Sequence, residues 1–137
     1  MIVALADIAP AFAFILERGF VAGESRYEPE HFGDALLVMH SSPFSLRFVR
    51  DRGQDFVDVG SASSGWTSLG YVLEFIDHEI TQSQLGKPPD IGVLAKLLQA
   101  HWDEVVELFG NLKRMSQFNV FAERKAAEFL SKIFGER

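Results

Sequence analysis

The chain has no cysteine among its 137 residues, which removes disulfide frameworks, zinc ribbons, thiol nucleophiles and thiol redox switches together. The lack of thiols fits a reducing compartment, and the cytoplasm is the expected location. No uninterrupted apolar stretch approaches the ~20 residues that span a bilayer, so no membrane span is expected. The apolar start, Met1 to Leu16, has no Lys or Arg ahead of its apolar run and carries Asp7 and Pro10 inside it. That is unlike a secretory signal. Positive charge is short as well: 13 basic against 19 acidic side chains leave a net charge of −6, whereas nucleic-acid binders normally gather an excess of Lys and Arg on one face. Nucleic acid is therefore not an expected partner.

What the chain has in quantity is apolar and aromatic side chains. Hydrophobic residues make up 47% of it, with 13 phenylalanines and 2 tryptophans against 23% charged residues, a composition that specifies a packed core rather than disorder. Its length predicts a single domain, residues 1–137, burying roughly two-thirds of the surface its unfolded form exposes. Charge is uneven along it. Residues 71–110 hold seven acids and two bases, while 111–137 hold six bases and three acids.

Hydrophobic spacing divides the chain into α and β parts. Leu5, Ile8, Phe12, Ile15 and Leu16 recur at three or four residues, which predicts a first helix from Leu5 to Arg18, with Asp7 as a cap and Gly19 as its left-handed stop. Four short runs follow, Phe20 to Tyr27, Phe32 to His40, Phe44 to Arg50 and Asp55 to Val59, separated by turn-rich segments too short for crossover helices. They predict a four-stranded antiparallel meander with one face covered. Trp66, Leu69, Val72, Leu73, Ile76 and Ile80 predict a second helix after the loop Gly60 to Gly65, with Thr67 or Ser68 as its cap. Residues 81–90 read as a polar connection, and Asp90 as the cap of a third helix from Ile91 to Phe109. A fourth, from about Ser116, carries Phe118, Phe121, Ala122, Ala126, Phe129 and Ile133 on one stripe. Gly110-Asn111 is short enough to make the last two helices a hairpin, with Asp103, Glu104 or Glu107 beside Lys113, Arg114 or Arg124. The expected class is α+β: an N-terminal helix, a four-stranded antiparallel meander, and three further helices with a C-terminal helical hairpin.

Motifs for chemistry are incomplete. Glu74 and His78, and His101 and Glu104, are within helical reach of each other, but no second histidine completes a zinc pattern after His78, and His101 reads as a hydrogen-bonded residue at the core edge. No metal and no cofactor is expected. The loop Gly60 to Gly65 is neither a nucleophile elbow nor a Walker loop; it reads as a connection, with an anion cradle at the start of the second helix as its functional alternative. Pro89-Asp90 with Glu123-Arg124-Lys125 imitates a nuclease signature, but helical spacing puts Glu123 on a solvent side. No catalytic residue is assigned.

The candidate binding residues are Arg47, Arg50, Arg52, Phe56 and Trp102. Three arginines crowd one hairpin turn among Asp51, Asp55 and Asp58. Alternation puts Arg47 and Arg50 on opposite sheet faces, so they form no single patch. Cross-strand pairing with Asp55 or Asp58 is the plain reading, and recognition of an anion or a protein beside Phe56 the functional one. The third helix carries more apolar positions than one contact needs, Ile91, Leu94, Leu97, Leu98, Trp102, Val105, Val106, Leu108 and Phe109. Either other parts of the chain cover the surplus, or it forms an interface, with a protein partner or in a homodimer, anchored by Trp102.

Phe32 to Val38, Leu46 to Gln54 and the pair Trp66 and Leu69, taken in that order, resemble small uncharacterised bacterial proteins and, more loosely, the immunity proteins carried beside polymorphic toxins. The resemblance covers about residues 5 to 80, and its most specific piece is Arg50-Asp51-Arg52-Gly53-Gln54. It implies a non-enzymatic, acidic partner of a bacterial toxin. The expected function is accordingly a protein-binding module. The alternative is a small enzyme or small-molecule-binding domain with a pocket between sheet and helices, and His40, Ser41 or Arg47 near its rim.

Overall fold

The structure is a computed structural model and describes residues 3–31, 33–61, 65–80, 82–86 and 89–134. It opens with a single helical turn, α1 (Leu5–Ile8), followed by a 3-10 helix, Pro10–Arg18. The one helix expected from Leu5 to Arg18 is interrupted at Ala9, whose φ of −149° and ψ of 65° are not helical. Proline is the reason: its ring pushes the preceding residue out of the helical region, and it starts a new helix more readily than it continues an old one. Asp7 lies inside α1 and does not cap it. Gly19 ends the 3-10 helix at φ 85°.

A five-stranded sheet follows, antiparallel throughout and in sequence order. Its strands are β1 (Val21–Glu28), β2 (Asp34–His40), β3 (Ser45–Asp51), β4 (Gln54–Ser61) and β5 (Gly65–Ser68). The expected meander is one strand short. Trp66 falls at helical spacing before Leu69, so the pattern absorbs it into a helix; in the structure Gly65, at φ 67°, starts a strand that runs back along β4. The stretch from Gly60 to Gly65 thus lies between two strands instead of leading into a helix, which overturns the expected strand-to-helix connection and with it the alternative of an anion cradle at a helix start. Ala62, Ser63 and Ser64 lie outside the described residues, as does Phe32, the expected start of the second strand.

The register aligns Leu37 with Phe48 and Val57, and Met39 with Leu46 and Val59. All six are buried, and they join one core cluster with residues of every helix. The helical layer on this face consists of α2 (Leu69–Ile76), α3 (Gln82–Leu85), α4 (Ile91–Ala100), α5 (Trp102–Phe109) and α6 (Leu112–Phe134). Ser68 precedes α2 without a side-chain cap bond, whereas Asp90 caps α4 as expected, its Oδ1 accepting from the N–H groups of Gly92 (2.7 Å) and Val93 (3.2 Å). Among the described residues no helix is long and apolar enough to cross a membrane.

The single helix expected from Ile91 to Phe109 is two, divided at His101 (φ −109°, ψ 22°). The imidazole there lies 2.8 Å from the Glu104 carboxylate and 3.6 Å from that of Asp77, so a polar side chain with two carboxylate neighbours occupies the position where the helix divides. Next to it, the Trp102 ring meets Phe14, Phe20 and Phe44 at centroid distances of 5.3–6.0 Å. The surplus apolar surface of this segment is covered within the chain. Leu94, Leu98, Val105 and Leu108 are buried, and Ile91, Leu97, Trp102, Val106 and Phe109 are half-buried against the core.

Helix α6 starts where the Asn111 side chain accepts from the Arg114 N–H (3.1 Å). It touches α5 and α2. Its charge complement is on α2: Lys125 Nζ lies 2.9 Å from Glu74, and the Arg114 guanidinium covers the Phe75 ring at 5.0 Å. Among the described residues, none of the expected pairs from Asp103, Glu104 or Glu107 to Lys113, Arg114 or Arg124 forms.

Two substitutions test this packing by urea unfolding. Phe48→Ala removes a fully buried ring and is expected to cost about 3–5 kcal/mol. At Gly60 a Cβ atom would collide with the carbonyl oxygen of Gly65, a backbone atom that cannot rotate away. Gly60→Ala is therefore expected to destabilise by about 1–3 kcal/mol, as overpacking does.

Candidate functional site

Side chains alternate across a strand, so the residues between the core positions form a second face. Register places Arg26, Leu36, Val49 and Phe56 in one row across four strands. Beside it runs Val38, Arg47, Asp58 and Ser68, and beside that Ser45, Gly60 and Trp66. Val38 is buried yet has no part in the core cluster, which marks it as belonging to this other side. Helices reach these rows only at the β4–β5 side, where Phe56, Asp58 and Ser68 share a cleft with Leu94 of α4 and Trp66 shares one with Phe109 of α5 and Phe118 of α6. Leu36 and Val49 are half-buried, while Phe56 is 38% and Trp66 40% exposed.

Arg47 holds the middle of the face. Its Nε and Nη2 both donate to Asp58 Oδ2, at 3.0 and 2.7 Å, and its guanidinium lies 4.8 Å from the Trp66 ring centre. The indole in turn lies across Gly60, where an added Cβ would meet it at 3.1 Å. A cross-strand ion pair and a cation–π contact thus fix the arginine and the tryptophan in one orientation each. Charge is neutralised in place, and apolar surface remains on either side of it.

The other candidate residues lie elsewhere. Arg50, opposite in parity to Arg47, donates to Asp55 Oδ1 (2.9 Å) and to the carbonyl of Ile8 (3.4 Å), tying α1 to the sheet. Both plain arginine–aspartate pairings are therefore made, one on each face. Arg52 sits in the two-residue turn between β3 and β4 at φ 53°, followed by Gly53 at φ 80°, the conformation a tight hairpin demands. Its backbone N–H donates to Asp34 Oδ1 (2.9 Å). Trp102 is packed in the helical layer with the Arg18 guanidinium 4.6 Å over its ring, so it joins the 3-10 helix to α5 instead of standing free. The structure brings Arg47 and Phe56 together and adds Trp66, Leu36 and Val49. Those three are missed because alternation identifies a face only once a strand's partners are known.

At one end of the same face a cleft of about 370 Å³ is lined by His40, Ser41, Ser42, Ser45, Gly60 and Trp66, among others. It contains two of the three residues expected near a pocket rim; Arg47 does not line it. His40 Nδ1 lies 2.9 Å from Ser45 Oγ, and the Ser41 hydroxyl donates to the Phe44 carbonyl (2.6 Å). The opposite edge of the imidazole presses on Gly23, where a Cβ would come within 2.6 Å of Nε2. Among the described residues no carboxylate orients this ring, so serine and histidine meet without the third group that a hydrolytic nucleophile needs. No group of three His, Cys, Asp or Glu side chains able to hold a metal is found among the described residues. Comparison of the chain with protein-family models, curated proteins and solved structures returns no match.

The Arg47–Asp58 pair is open to a double-mutant cycle. With both side chains one-third exposed or less, Arg47→Ala and Asp58→Ala are expected to show a coupling of about 1 kcal/mol in thermal unfolding, decreasing as salt is raised.

Proposed function

We propose that the protein is a non-enzymatic protein-binding module whose recognition surface is the uncovered sheet face around Arg47, Phe56 and Trp66. The observation that carries the reading is the face itself. Two partly exposed aromatic rings stand on a rigid antiparallel sheet, with Leu36 and Val49 beside them and an arginine already paired. Aromatic anchors on a scaffold that does not rearrange lose little entropy on binding, and arginine with aromatics is the composition that dominates interface energetics. A net charge of −6 favours a basic partner by steering. The resemblance of Phe32 to Val38, Leu46 to Gln54 and Trp66 with Leu69 to small uncharacterised bacterial proteins and, more loosely, to toxin immunity proteins supports the sharpest form of this reading, a bacterial toxin held inactive by the sheet face.

The test is rescue of cell growth from a toxin domain encoded next to the protein. Wild type is expected to rescue, and Phe56→Glu to lose rescue while its thermal midpoint stays within a few degrees of wild type. Rescue undiminished by both Phe56→Glu and Trp66→Glu contradicts the reading.

The cleft at His40 supports a second reading, a small-molecule site with Trp66 as its platform and serine hydroxyls as its polar groups. A ligand of that kind is expected to raise the thermal midpoint of wild type and leave that of Trp66→Ala unmoved.

A further inference from the structure

The apolar stripe that fastens α6 to the domain continues past the point where the domain ends. Met115 and Phe118 are buried and Phe121 and Ala122 half-buried against the core, but from Ala126 onward the described side chains are exposed. Phe129 is 58%, Leu130 52% and Ile133 56% exposed. Three large apolar side chains within five residues of one helix exceed the scattered exposure that soluble monomers tolerate. Beside the same helix, one to three turns nearer its start, an open cleft of about 300 Å³ is lined by Trp66, Phe109, Phe118, Asn119, Ala122 and Glu123.

Overhang and cleft are on one helix, so a two-fold axis satisfies both at once in a closed dimer. We propose that α6 pairs antiparallel with α6 of a second copy of this chain, each overhang entering the other's cleft. Ala122, Ala126, Phe129 and Ile133 recur at four, three and four residues, the spacing of a helix–helix seam. With the axis between Ala127 and Glu128, Ile133 stands opposite the partner's Ala122 and Phe129 opposite the partner's Ala126. Every layer then sets one large side chain against one alanine, the alternation that lets helices approach closely. The same register brings Lys132 near the partner's Lys125, a cost that Glu74, 2.9 Å from Lys125, offsets. From Met115 to Phe134 the helix is about 30 Å long. Two such faces with filled clefts bury on the order of 1,000 Å² in total, the lower limit for a specific interface, which places the dimer among weak complexes in the micromolar range.

Sedimentation velocity of the full chain from about 1 to 200 µM spans that range. Wild type is expected to pass from monomer to dimer. Phe129→Glu/Ile133→Glu is expected to remain monomeric with an unchanged helical circular dichroism spectrum, since both side chains are more than half exposed. Ile133→Lys, a milder change in the last turn, is expected to weaken the dimer at least tenfold. Leu112→Glu, 82% exposed at the other end of α6, is expected to dimerise like wild type. A wild type that stays monomeric throughout, or a dimer that survives Phe129→Glu/Ile133→Glu, overturns the proposal.

Discussion

Leu37, Met39, Leu46, Phe48, Val57 and Val59 have to leave water together, because strand alternation puts all six on one face of the sheet. The rest of the molecule is arranged to meet that requirement. The 3-10 helix brings Phe12 to within 5.0 Å of the Phe48 ring. Arg50 reaches from the sheet margin to the Ile8 carbonyl, and the break at His101 sets Trp102 among Phe14, Phe20 and Phe44. Helices cover one side, and among the described residues they reach the other only at its β4–β5 margin.

That asymmetry gives the uncovered face its chemistry. A sheet face open to water normally alternates to polar residues. This one keeps Leu36, Val49, Phe56 and Trp66, and its central arginine is held by Asp58 and the indole instead of being left to solvent. Preorganised aromatic and guanidinium groups lose little freedom on contact with a partner. At the end of the same face His40 and Ser45 meet, and the imidazole's second edge is spent on packing against Gly23.

The sequence was legible where its periods were unambiguous. Strands β2, β3 and β4 follow from turn residues at Ser41 to Pro43 and Asp51 to Gln54, and the helical cover follows from spacing at three and four. Strand β5 was illegible because Trp66 satisfies the helical repeat that begins at Leu69, and four residues are too few to show alternation. The break at His101 was hidden because the apolar spacing continues past it, and the Asp77 carboxylate 3.6 Å from its imidazole is twenty-four positions away in sequence, invisible to a local pattern. Of the candidate site, the opposite facing of Arg47 and Arg50 and their aspartate partners could be read from alternation. Trp102 could not be told from an interface anchor, since its covering residues Phe14, Phe20 and Phe44 come from distant parts of the chain. Trp66 went unrecognised as a member of the open face for the same reason that β5 did.

The account stands on the sheet having one face that folding needs and one that it does not. The direct measurement is the unfolding free energy of paired polar substitutions on the two sides of the same strands. Leu37→Ser, Phe48→Ser and Val57→Ser are each expected to cost several kcal/mol, as core truncations with a buried hydroxyl do. Leu36→Ser, Val49→Ser and Phe56→Ser, their immediate neighbours on the other face, are expected to cost about 1 kcal/mol or less. Equal losses on both faces would mean that the second face is also core, and would contradict its proposed role as a surface for recognition.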